Sequence, residues 1–182
     1  YMDTDVEVIK PLDVFLKHEA FTGCENEKFC VTGIMGASSK HPWIKSLLDY
    51  YDDKRFILPD GSIDITTNTK VITDITIKEY GWIPSNNLQI LKNGLTIYPF
   101  EFFCAKDYNS GVISISDNTY TIHHFNASWH TEEEKKRRFK REKYIRRYGV
   151  KLGEIINSLD YSISNNGFFG TLKKIKKKIT SR

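Results

Sequence analysis

The sequence predicts a mixed α/β fold that is followed by a basic helical tail. Short apolar runs with interspersed glycines, such as 29–36, are typical of strands, and they alternate with apolar stripes at helical spacing. A dense run of lysine and arginine begins at Lys135. Of the 182 residues, 40% are hydrophobic and 27% are charged, as in ordinary globular proteins. We therefore expect residues 1–130 to form one folded domain and residues 131–182 to form the tail.

The chain opens on an acidic pair, Asp3 and Asp5, separated by one residue. In an extended segment the side chains of residues i and i+2 point the same way, so we expect both carboxylates on one side. The apolar run from Val6 to Ile9 follows, which places the pair at a junction of strand and loop. Oxygen ligands suit Mg²⁺ and Mn²⁺. The pair therefore predicts a divalent-cation site, and two solvated charges are the alternative.

Two main helices are predicted in the first domain. One begins near Ser39, with Ser38 or Ser39 as its cap and Pro42 in its first turn. The other runs over about 68–80 and ends at Gly81. The predicted core-facing residues are Leu12, Phe15 and Leu16 of a short helix after Pro11, then Ile44, Leu47, Leu48 and Tyr51, then Val71, Ile72 and Ile75.

Several further segments are predicted to be strands. Residues 88–91 and 95–98 flank Asn93-Gly94, which is the strongest short hairpin signal. The aromatic segment 99–103 and the apolar segment 112–115 also have the composition of strands. Asp60-Gly61 predicts a turn between the two main helices.

A last strand, over 119–125, ends in two adjacent histidines, His123 and His124. Neighbouring residues of a strand face opposite sides, so only one of the two can reach a given metal ion. One reading is therefore a metal ligand beside a surface histidine. The other is a packed histidine beside a surface histidine, with no metal. His41, which precedes Pro42, is likewise either a helix-entry residue or a functional one.

Three motifs resemble those of glycosyltransferase family 32, which contains bacterial capsule and polysaccharide sugar transferases. The first is the D-x-D segment 1–6 with the run that follows it to Leu12, and the second is the His-Pro pair within 37–43. The third is Tyr-x-x-His-x-aromatic over 120–125, followed by Ser-Trp at 128–129. They occur in the family's order and cover about residues 1–130. Asn68-Thr69 departs from the family, whose members typically carry Gly-Pro there.

The resemblance implies a GT-A-like nucleotide-sugar transferase fold. It implies a retaining transfer of a sugar from a UDP- or GDP-sugar donor to a polysaccharide or glycolipid acceptor. Asp5 and His123 are then expected to bind Mn²⁺ (or Mg²⁺), and Asp3 to bind hydroxyls of the donor's ribose or sugar. Ser128 and Trp129 are expected on a loop over the diphosphate, which both can reach as hydrogen-bond donors. No residue is identified as a nucleophile.

The position of the first motif indicates how much of a nucleotide-binding fold the sequence contains. Nucleotide-binding α/β domains normally place strands and helices before the metal-binding turn, whereas this chain opens inside that motif. We therefore expect the N-terminal nucleotide-binding half of the fold to be missing and the chain to be inactive alone.

Two other functions fit the same residues. In one, the protein is a basic membrane- or nucleic-acid-binding module without catalysis, and the acidic pair is incidental. In the other, it is a metal-dependent phosphohydrolase that uses the same Asp and His ligands. The composition of the sequence does not separate these from a sugar transferase.

The three cysteines, Cys24, Cys30 and Cys104, have no metal-ligand spacing. We expect them to be buried reduced thiols, which favours a cytoplasmic location. A Cys24–Cys30 disulfide is the alternative.

The tail combines charge with apolar residues. Glutamates at 132–134 precede the basic run 135–147, an order that suits the helix dipole. The expected membrane-surface residues are Phe168, Phe169, Lys173, Lys174, Lys176, Lys177 and Lys178. They predict either a peripheral contact with an anionic inner membrane face or a disordered tail. No nucleic-acid motif accompanies the lysines, so we expect no nucleic acid as a partner.

Overall fold

A computed structural model describes residues 1–126 and 130–180, without the side chains of 31–32, 174–175 and 177–180. The chain divides into two compact units. The first comprises Tyr1–Lys106 and Ile113–Phe125, and the second comprises Asp107–Val112 with the chain from Asn126 onward. The mixed α/β class predicted from the sequence is confirmed.

The first unit contains all the strands that the structure describes. They are β1 (Val6–Val8), β2 (Ala20–Asn26), β3 (Phe29–Ala37), β4 (Gln89–Ile90), β5 (Leu95–Tyr98) and β6 (Thr121–His123). Its α-helices are α1 (Pro42–Asp49), α2 (Asn68–Ile75) and α3 (Phe100–Phe103), and α2 continues as a π-helical turn over Thr76–Tyr80. Short 3₁₀ helices lie at Asp13–Phe15 and Lys92–Gly94.

Four strands form a mixed sheet in the order β3-β2-β5-β4, and β1 pairs with β6 in a separate antiparallel ribbon. Within the larger sheet, β2 and β5 are parallel, while the other two pairs are antiparallel. Successive side chains of a strand alternate between faces, and two apolar clusters accordingly form. One cluster joins Ala20 and Leu95 to Trp43 and Ile72 of the helices α1 and α2. The other centres on Phe15, Phe21 and Phe103.

The hairpin and the second helix were predicted correctly. β4 and β5 are antiparallel across a turn in which Asn93 and Gly94 have φ values of 57° and 71°. The Thr67 side chain caps α2, and Gly81 ends the following turn with φ of 81°. At both glycines the positive φ is a conformation that glycine adopts without steric cost.

Other expectations about the first unit were wrong. His41, not a serine, caps α1, and Leu48 and Tyr51 of the predicted stripe are exposed, as is Leu16. Segment 99–103 is a helical turn, because Asn86 Oδ1 accepts the Phe100 N–H at 2.7 Å and Pro99 precedes the first turn. Segment 112–115 makes only an isolated bridge, at Ile113.

The second unit is built on the helical segment α4 (Glu132–Thr180). Gly149 and Gly167 have extended, positive-φ backbones inside it (φ of 77° and 68°), so it consists of three successive helices over 132–148, 150–166 and 168–180. Thr131 and Glu134 form a reciprocal capping box at its start. The tail is therefore helical over its described length. Within that part of the chain, none of the helices combines the length and apolar content that a bilayer crossing needs.

The hydroxyl of Thr76 offers a test of how α1 is joined to the turn that continues α2. It accepts the Trp43 indole N–H at 3.1 Å and donates to Ile72 O at 2.7 Å, all within the core. Thr76→Val should lower the free energy of unfolding by about 1–3 kcal/mol, because the buried indole N–H loses its acceptor. Urea unfolding measures this. Thr76→Ser keeps the hydroxyl and should be the more stable variant; the reverse order would contradict this account.

Candidate metal centre

The acidic pair lies in a turn between two strand pairings. Before the turn, Asp3 N–H donates to Gly33 O of β3 at 2.8 Å, and Met35 N–H of the same strand donates to Tyr1 O at 3.0 Å. The turn closes through Val6 N–H and Asp3 O at 3.2 Å, and β1 begins at Val6. The expectation of an extended segment was therefore wrong. A turn, rather than the strand period, brings the two carboxylates to one side.

His123 faces this turn because of the strand register. β1 and β6 pair so that Val6 lies opposite His123. The Nε2 atom of His123 is 3.3 Å from Asp5 Oδ1 and 3.6 Å from Asp3 Oδ2. All three ligand atoms lie within 4.8 Å of one another. The structure thus brings together Asp3, Asp5 and His123, whereas metal binding itself stays a prediction.

The donor set fits a divalent cation of the first transition row. Adjacent ligands of an octahedral ion of this size lie about 3.0 Å apart, close to the two His123–carboxylate distances. Carboxylates suit Mn²⁺ and Mg²⁺, whereas an imidazole ligand favours a transition metal. The side chains of Asp3 and Asp5 are 27% and 21% exposed and that of His123 is 10% exposed. A small ion can therefore reach the carboxylates from solvent while the imidazole stays packed.

The imidazole of His123 is held between two neighbours. The Phe125 ring lies against it with the centroids 4.1 Å apart, in spite of a positive φ of 53° that bulky residues rarely adopt. On another side, a Cβ built on Gly33 meets His123 Nδ1 at 2.8 Å. Gly33 is thus a site residue that the sequence reasoning missed. A glycine inside a strand signals close approach of another group, but it does not reveal which group.

Burial and the neighbouring carboxylates shift the pKa of His123 in opposite directions. Burial lowers the pKa of His123, and the Asp5 and Asp3 carboxylates oppose that shift. Because its pKa is lowered, the ring is neutral at pH 7, which is the form that binds metals. The hydroxyl of Tyr1 donates to Asp3 Oδ1, and this hydrogen bond is the main reason why the pKa of Tyr1 is raised.

The remaining histidine candidates have structural partners. His124 faces away from the site and its Nε2 lies 2.8 Å from Glu7 Oε2. His41 Nδ1 accepts the Trp43 N–H, and its Nε2 donates to Asn93 O at 2.8 Å. His41 is therefore a helix-entry residue that joins α1 to the hairpin turn. The diphosphate-loop candidates Ser128 and Trp129 lie outside the described residues.

The membrane-surface candidates are in the third helix of α4. Phe168 and Phe169 are exposed, and their rings contact edge to face at a centroid distance of 5.8 Å. Lys173 and Lys176 are also exposed. The side chains of Lys174, Lys177 and Lys178 lie outside the described set.

The expected cysteine state is confirmed. Cys24, Cys30 and Cys104 are free and buried, and burial raises the pKa of Cys24 to about 12. Cys24 and Cys30 lie opposite each other on β2 and β3 without forming a disulfide.

Comparison of the chain with protein-family models, with curated proteins and with solved structures found no match. The resemblance to glycosyltransferase family 32 and the GT-A-like fold therefore stay predictions.

Gly33 provides a test of the site that leaves its ligands unchanged. Gly33→Ala places a methyl group against His123 Nδ1 and should weaken Mn²⁺ binding about tenfold, the usual cost of disturbing a group that orients a ligand. Isothermal titration with MnCl₂ measures the affinity. The matched control is Gly23→Ala, whose Cβ meets Phe103 Cδ2 at 2.7 Å; it should reduce stability and leave Mn²⁺ affinity unchanged. Equal affinities for the two variants would contradict the proposed position of the imidazole.

Proposed function

We propose that this protein is a metal-dependent glycosyltransferase that moves a sugar from a nucleotide-diphosphate donor to a polysaccharide or glycolipid acceptor. The observation that carries the proposal is the convergence of Asp3, Asp5 and His123 on one point. The order of the three motifs that resemble glycosyltransferase family 32 supports a sugar as the transferred group. Reduced, buried cysteines agree with a cytoplasmic site of action.

In this proposal each residue of the cluster has a separate task. Asp5 Oδ1 and His123 Nε2 hold Mn²⁺ (or Mg²⁺). The bound cation supplies charge neutralisation for the departing diphosphate, on which negative charge develops. Asp3 accepts hydrogen bonds from hydroxyls of the donor's ribose or sugar, and the Tyr1 hydroxyl fixes the orientation of its carboxylate.

The sugar carries the complementary charge in the transition state. Breaking the bond between an anomeric carbon and a diphosphate develops oxocarbenium-like charge on the sugar, and carboxylates near the sugar favour that charge. No nucleophile is assigned to this chain. The resemblance alone supports retention of the anomeric configuration.

Metal binding is the first test, and it needs no donor substrate. Asp5→Asn and His123→Ala should each weaken Mn²⁺ binding by at least about 100-fold, because the first removes the charge of a ligand and the second removes a ligand outright. Isothermal titration on the purified chain gives the affinities. His124→Ala is the matched control, since it removes the adjacent imidazole that faces Glu7. Unchanged affinity in both ligand variants, or an equal loss in the control, would remove the metal centre.

Sugar transfer is tested by nucleotide release. The natural protein that contains this sequence is incubated with UDP- and GDP-sugars and Mn²⁺, and free nucleotide is measured with and without EDTA. Release should require the metal and should fall by at least about 100-fold in Asp5→Asn and His123→Ala, because the leaving diphosphate loses its neutralising charge.

The outcomes of the release assay separate the candidate functions. Release that survives both substitutions excludes the site. Hydrolysis of simple phosphate esters, without release from nucleotide sugars, favours the phosphohydrolase. Absence of both reactions, together with intact metal binding, leaves a binding module.

A further inference from the structure

Charge is divided unequally along the chain. Residues 131–182 contain 16 Lys and Arg but only six Asp and Glu, whereas residues 1–130 contain 11 and 17. The formal charge of the tail is thus +10 and that of the remainder is −6, although the whole chain has only +4. The tail is the part of this protein that can attract a polyanionic surface.

The acidic side chains of the tail are mostly used within it. On the helix 150–166, Glu154 pairs with Arg141 of the preceding helix, and Asp160 pairs with Lys140 at 3.2 Å. On the first helix, Arg138 and Glu142 pair at 3.0 Å. The carboxylates therefore point toward basic partners inside the second unit, which leaves the excess of positive charge uncompensated.

The outer face of the helix 150–166 is apolar and exposed. Leu152, Ile155, Leu159 and Ile163 recur at spacings of three, four and four residues, which places them on one side of the helix. Their exposed fractions are 58%, 56%, 37% and 41%. The inward side is made by Gly153 and Asn157, which are buried. We call these four aliphatic residues the outer stripe.

The third helix also exposes large apolar side chains. Thr171 is buried and its hydroxyl contacts the Ser162 hydroxyl at 3.0 Å, so the third helix packs against the second. Phe168, Phe169 and Leu172, at its beginning, are exposed, and the lysines of 173–178 follow directly. The third helix thus has exposed apolar residues at its beginning and lysines directly after them.

We propose that the outer stripe, with Phe168, Phe169 and Leu172, is a docking surface for an anionic lipid bilayer. Burying the apolar side chains in the interfacial layer removes them from water, and the lysines bind the lipid phosphates. The surface extends beyond the 167–182 stretch identified from the sequence, because it includes the helix 150–166. It does not depend on the metal centre.

Two other possible partners of this docking surface, a second copy of the chain and an RNA, account for fewer of these observations. A symmetric second copy of the chain would place the same surface against itself, so two basic segments would meet. An RNA would neutralise the lysines but would leave the outer stripe exposed to water. An anionic bilayer satisfies the charge and the apolar side chains together.

The test measures binding of the whole chain to vesicles by sedimentation. Vesicles of phosphatidylcholine alone are compared with vesicles that also contain phosphatidylglycerol, at low and at high salt. The protein should bind the anionic vesicles, and binding should weaken with salt. The double variant Leu152→Gln/Ile155→Gln should lower the partition coefficient by at least about tenfold, because two aliphatic side chains no longer enter the interface. Glutamine keeps the helix propensity high.

The matched control is Ile65→Gln/Ile83→Gln, which changes two isoleucines of the first unit that are even more exposed than the stripe residues, at 86% and 71%. It should bind as the unchanged protein does, and circular dichroism should show that both double variants are folded. The proposal is overturned if the stripe variant binds anionic vesicles like the control. It is equally overturned if the unchanged protein fails to bind them, if it binds RNA in their place, or if light scattering shows a dimer that the stripe variant dissociates.

Discussion

One short segment of backbone exchanges partners between two sheets, and the candidate metal centre depends on that exchange. Up to Asp3 the chain is hydrogen-bonded to β3, and from Val6 onward it is bonded to β6. The His124 N–H also donates to Asp5 O at 3.0 Å, which closes the turn against the end of β6. Because both pairings are backbone hydrogen bonds, they place the backbone of Asp3 and Asp5 beside His123 independently of the side-chain chemistry of the two acids.

The consequence of that arrangement is an electrostatic conflict between the groups of the site. Two carboxylates that converge on one imidazole repel each other, and the burial that lowers the pKa of His123 keeps the ring uncharged. A neutral ring offers little compensation to the acids. Tyr1 contributes a hydrogen bond to Asp3, but it adds no positive charge. A divalent ion would satisfy all three groups, and this is the electrostatic argument for the metal centre proposed above.

The sequence predicted the structure correctly where local backbone preferences determine it, and it failed where contacts between distant residues determine it. The Asn93-Gly94 hairpin, the end of the second helix at Gly81 and the opposite facing of His123 and His124 follow from backbone preferences and strand alternation. The turn at the acidic pair and the helix over 99–103 depend on distant partners, β3 and Asn86. Gly33 shows the same limit, because its contact with His123 joins residues 90 positions apart in the sequence.

The division of charge gives the tail and the rest of the chain different relations to anions. A nucleotide diphosphate that approaches residues 1–130 meets a segment of net charge −6 and a site with two carboxylates. Under the proposed function, it can bind there only after a cation has reversed the local sign of charge, so the metal must bind before the donor. The tail, with its net charge of +10, attracts anionic surfaces without any such step. The proposed metal dependence and the proposed membrane attraction therefore have separate electrostatic origins, and chelating the metal should abolish nucleotide release while leaving vesicle binding unchanged.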